Sequence, residues 1–91
     1  TYERLMTEDQ VPSALLQKVH KDNLALTSEC LDRYSFHERD NTSITMAINP
    51  DKIEEAKEKI RRFQDEMSEL LEQGHKTSVY QLNIHLIPVV K

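Results

Sequence analysis

The hydropathy pattern predicts an α+β fold, a two-layer α-β-α-β unit with a small sheet covered on one face by two helices and completed by dimerisation. Three observations carry this prediction. Residues 12–34 and 50–73 recur with helical period, residues 43–48 and 77–90 alternate with period two, and the 91-residue chain is only 37% apolar. A chain of this length can hide roughly 60–65% of its unfolded surface. With a mean hydropathy of −0.67 it has little apolar material for doing so alone.

Residues 1–10 are polar and aperiodic, and are expected to be a linker or the tail of an upstream domain, leaving 11–91 as one folded unit. Pro12 and Ser13 are acceptable helix-start residues. From there to Tyr34, Leu15, Leu16, Val19, Leu24, Leu26, Cys30, Leu31 and Tyr34 fall within one half-circle of a helical wheel. An arc that broad exceeds the stripe needed to touch one layer. It predicts a helix pressed by its own sheet and by a second surface.

A charged turn, Ser35 to Asn41, leads into Ser43–Ile48. Ile44, Met46 and Ile48 point one way and Ser43, Thr45 and Ala47 the other, as in a half-buried strand. Asn49 is a good N-cap, Pro50 a good first helical residue, and Gly74 a suitable C′ terminator. Between them Ile53, Ala56, Ile60, Phe63, Met67 and Leu70 form a narrow seam on roughly 24 residues, about 36 Å of helix. Acid-first pairs Glu55–Lys59 and Glu58–Arg62 are expected to add about 0.2–0.5 kcal/mol each. In Thr77–Val90, Tyr80, Leu82, Ile84 and Leu86 make one face, and Gln81, Asn83 and His85 most of the other. Pro88 limits ladder bonding there. A right-handed crossover would make the two strands parallel, with the sheet's apolar face under both helices.

Composition narrows the function classes. Twelve Lys and Arg stand against sixteen Asp and Glu, a net charge of −4, which argues against direct nucleic-acid contact by these residues. The basic residues Lys57, Lys59, Arg61 and Arg62 alternate with acids, as on a solvated helix face. No apolar run approaches a membrane span. The lone Cys30 has no intramolecular partner and fits a reducing cytoplasm.

Nothing in the pattern supplies catalytic, cofactor-binding or metal-ligating residues. His20 and Cys30 lie ten residues apart, about 15 Å along a helix, too far for a nucleophilic pair. No local His or Cys pair has zinc-site spacing. Cys30 reads as a small apolar residue. Arg39, in a turn without glycine, is expected to pair with Glu38 and Asp40, with Phe36 plugging the edge of the core. The polar strand face of Thr45, Gln81, Asn83 and His85 is either solvated, in a dimer contact, or a site for a polar ligand. The first two outweigh the third, because one face of an antiparallel or two-layer sheet is ordinarily wet. The residues expected to assemble two copies are Leu16, Leu24, Leu31 and Tyr34 on the first helix, with Gln81, Asn83 and His85 on the last strand.

Glu38-Arg39-Asp40, Ser43 to Ile48, the helix from Ile53 through Arg61-Arg62-Phe63 to Leu70, and the closing Val79 to Pro88 together resemble a known pattern. It is the C-terminal half, a domain of unknown function, of a bacterial family taken to be winged-helix transcriptional regulators, abundant in predatory and fibre-degrading bacteria. Val11-Pro12-Ser13 and Val19-His20 resemble the start of that half, with Val19 where Phe is usual; Ile87 likewise replaces a Phe before Pro88. The resemblance covers about residues 11–88 and implies an upstream DNA-binding segment. It transfers no catalytic or ligand residues.

These readings converge on a non-catalytic cytoplasmic homodimerisation or regulatory domain without a cofactor, meeting DNA only through an upstream segment. The alternative is a sensory module that binds a polar ligand on the sheet face.

Overall fold

A computed structural model describes residues 12–90. Among them are helix α1 (Ser13–Arg33), a 3-10 turn (Pro50–Lys52) and helix α2 (Ile53–Leu71). The chain divides into two units, Thr1–Ser43 and Ile44–Lys91; among the described residues the first holds α1 and the second the 3-10 turn and α2. The linker expected over residues 1–10 lies outside the described residues.

The expected α+β sandwich is corrected. No β-strand occurs among the described residues, so their architecture is all-α, and there is no sheet for two helices to cover or for a second copy to complete. Residues 43–48 and 77–90 alternate in hydropathy as a half-buried strand does. Alternation, however, reports only which side chains share a side; a ladder also needs a neighbouring backbone about 4.8 Å away. Two strands alone make no stable sheet. Here Met46 and Ile48 meet Leu86 across an open cavity instead of through paired backbones.

Helix α1 matches its predicted span to within a residue at each end. Pro12 contributes no capping side chain, and its carbonyl accepts the Leu16 N–H at 3.0 Å. The C-terminus is more elaborate. Tyr34 N–H donates to the Cys30 carbonyl at 3.0 Å, and Arg39 folds back to the same end. Arg39 donates from Nε to the Tyr34 carbonyl at 3.0 Å, from Nη2 to the Leu31 carbonyl at 3.5 Å, and from Nη1 to Asn41 Oδ1 at 2.9 Å. A cation here satisfies carbonyls the helix leaves without partners, and complements its dipole. That work replaces the pairing expected with Glu38 and Asp40. Phe36 does not plug a core edge; it is largely exposed and stacks on His37, ring centroids 4.0 Å apart.

The start of α2 confirms its sequence signature with a shift of register. Asn49 Oδ1 accepts the Asp51 N–H at 3.0 Å, so Asn49 caps, but the first turn, Pro50–Lys52, is 3-10 and the α-helix proper begins at Ile53. Glu54 and Glu55 then face the positive helix end. The helix stops at Leu71, with Glu72 N–H on the Ser68 carbonyl at 3.0 Å. Gly74 follows three residues later at φ 76°, a left-handed conformation that glycine tolerates best. Lysines pair at i,i±3 spacing, Lys52–Glu55 at 3.9 Å and Lys57–Glu54 at 3.6 Å, and not in the acid-first pairs expected. Such exposed pairs contribute about 0–1 kcal/mol each.

No described residue is buried. The best-covered side chains on each helix are only half-buried, and much of the apolar content noted above is spread over surface.

Candidate functional site

On α1 the half-buried residues are Leu16, Val19, Asn23, Thr27 and Cys30, spaced 3, 4, 4 and 3. They define one line down the helix. Apolar residues flank it on both sides: Leu15 and Leu26 on one, Leu24 and Leu31 on the other. Leu24 is 51% exposed and Leu31, one heptad later, 44%. The broad arc seen in the sequence is therefore a covered midline with two uncovered margins. Of the residues expected to assemble two copies, Leu24, Leu31 and Tyr34 are exposed, and Leu16 lies on the midline.

The second unit holds an open apolar cavity of about 300 Å³. Met46, Ile48, Ile53, Ala56 and Leu86 line it, with Asn49 and Lys52 at the rim. Three of these, Met46, Ile48 and Leu86, belong to the set that the alternation placed on the apolar side. Ile53 and Ala56 begin the α2 seam. Each residue was legible as inward-facing, but the volume left between them was not, because hydropathy carries no information on gaps. A cavity with so few polar groups suits a hydrocarbon side chain better than a polar molecule.

Thr45, Gln81, Asn83 and His85 do not form the expected row on a sheet, since the described residues contain no sheet to align them. Asn83 Nδ2 donates to Gln81 Oε1 at 3.1 Å, so these two amides lie on one side of their segment. Gln81, Asn83 and His85 all have interaction partners, and Thr45 is exposed.

Among the described residues no three His, Cys, Asp or Glu side chains converge as metal ligands would. Cys30 is a free, half-buried thiol. No helix of the described residues is long and apolar enough to cross a membrane.

Among the described residues the first unit exposes the leucine margins of α1, and the second, by itself, holds the apolar hollow beside α2. Residues 1–89 match the profile of a family described as a domain of unknown function (DUF4423), and the chain belongs to that family. Comparison with curated proteins and with solved structures returned no match.

Proposed function

We propose that this chain is a non-catalytic, C-terminal dimerisation or regulatory domain of a bacterial transcriptional regulator, working in the cytoplasm. Two copies associate and thereby set the distance between two upstream DNA-binding segments, matching half-site spacing to protein symmetry. The observation that carries this reading is the exposed Leu24–Leu31 margin of α1. Covering a leucine side chain fully is worth about 1.5–3 kcal/mol, so leaving a pair uncovered a heptad apart favours a partner. Tyr34 continues the apolar surface to the end of the helix, and Leu16 borders it. The net charge of −4 supports leaving DNA contact to another segment. The winged-helix and bacterial assignment rests on the resemblance of residues 11–88.

Leu24→Glu places a carboxylate in that margin and should yield a monomer by light scattering, with helix content unchanged by circular dichroism. A variant that stays fully dimeric removes this face from the interface.

A second reading is a sensor for a polar molecule at Thr45, Gln81, Asn83 and His85, favoured by the Asn83–Gln81 hydrogen bond that groups two amides. A thermal-shift screen with nucleotides and polar metabolites tests it. A hit that binds the Asn83→Ala/His85→Ala variant as well as the parent chain excludes this site.

A further inference from the structure

The seam of α2 is unequally covered. Ile53, Ala56, Ile60 and Met67 are half-buried, together with Gln64 and Ser68 beside them. From Phe63 onward the other flank is bare: Phe63 is 46% exposed and Leu70 61%, while Ala56 at its start is half-buried. Ala56, Phe63 and Leu70 recur every seven residues and so run along one line of the helix. Lys59 and Glu66, also seven apart, run beside it. Lys59, Arg62, Phe63 and Glu66 together line a shallow hollow of about 240 Å³. Neither Lys59 nor Glu66 has an ion-pair partner among the described residues.

We propose that this flank of α2 pairs antiparallel with the same flank of a second copy, about a two-fold axis at Phe63. The register follows from the spacing. Two identical antiparallel helices centred on Phe63 bring Phe63 against Phe63 of the second copy, and put the small Ala56 opposite the large Leu70 at both ends. In the same register Lys59 of each copy comes within one residue, about 1.5 Å of axial rise, of the level of the other copy's Glu66. Opposite charges thus meet twice, whereas a parallel pairing would set Lys59 beside Lys59 and Glu66 beside Glu66. This charge complementarity selects a second copy of this chain as the occupant, and selects its direction. The stripe is short against the roughly 800 Å² per partner of a stable interface. It therefore supplements the α1 contact, and it rests on the self-association reading above.

The test uses the full chain with Cys30→Ser as background. Phe63→Cys should cross-link to itself under mild oxidation at least about tenfold faster than Arg61→Cys, which lies on the far side of α2. If Phe63→Cys perturbs the helix, a mixture of Ala56→Cys and Leu70→Cys chains should cross-link as a heterodimer faster than either alone. In sedimentation equilibrium, Lys59→Glu and Glu66→Lys should each weaken the dimer about tenfold, and the double reversal should return it to within about twofold of the parent. Equal cross-linking at positions 61 and 63, or a double variant as weak as the singles, overturns the α2 pairing. If Leu24→Glu still gives a monomer in that case, the α1 reading survives and only this one fails. A chain that is monomeric throughout defeats both.

Discussion

The Arg39 guanidinium donates its Nε–H to the Tyr34 carbonyl at 3.0 Å, closing the end of α1 from five residues downstream. With its further bonds to Leu31 and Asn41, this one side chain ties the Ser35–Asn41 turn to the helix. Arginine suits the task because its planar fork presents several donors at once.

Arg39→Ala should therefore destabilise the chain by about 1 kcal/mol, through lost charge-assisted bonds and lost dipole compensation. For a domain of this size that lowers Tm by roughly 4–8 °C. Arg39→Lys should fall between the two, since it keeps the charge and loses the fork. Thermal melts followed at 222 nm check this; an unchanged Arg39→Ala melt would show the contact to be energetically idle.

Asn49 sets the entry to α2, and Asn49→Ala should cost about 1 kcal/mol because the Asp51 N–H loses its acceptor. Asn49→Ser or Asn49→Asp should keep most of that stability. Urea midpoints of the three variants give the comparison, and a neutral Asn49→Ala would mean that the 3-10 turn needs no cap.

Gly74 has nothing within 4 Å of the position a Cβ would take. Any cost of Gly74→Ala is therefore conformational, about 1 kcal/mol for forcing a side chain to φ 76°, with no added clash. Gly74→Asn should be milder, because asparagine tolerates the left-handed region better. Chemical denaturation of both variants tests the order, which steric crowding would not reproduce.

Leu86 lines the open cavity and is only half-covered. Leu86→Ala should therefore cost about 1 kcal/mol, below the 2–5 kcal/mol typical of a sealed core. A loss above 3 kcal/mol in urea unfolding would show that something closes over Met46, Ile48 and Leu86 in solution.

Helices were readable in this sequence because their signals are local. Asn49-Pro50 announces a start, the 3-4-3 spacing from Ile53 to Leu70 announces a face, and both survive in α2. The cap of α1 was not readable. Its donor, Arg39, lies six residues past the helix, and neighbouring Glu38 and Asp40 offered nearer partners on paper. The two segments expected as strands failed for a related reason. Ile44-Met46-Ile48 and Leu82-Ile84-Leu86 record which side is apolar, and that much agrees with the cavity formed by Met46, Ile48 and Leu86. Whether their backbones pair depends on a neighbour that alternation cannot see. At the candidate site, Leu24 and Leu31 stand out on the wheel, but a wheel shows only direction and not coverage, so the split of the arc into a covered midline and exposed margins is not visible in it.

The acids of α2 are placed unevenly with respect to its own field. Glu54 and Glu55 sit at the favourable end, while Glu69 and Glu72 crowd the negative end, where the last turn holds no basic residue. Winding should thus be firm near Ile53 and loose near Leu71, so that amide protons at 68–72 exchange with solvent before those at 57–62. The helix would unravel from its tail, and added salt, by screening those carboxylates, should slow the unravelling there first.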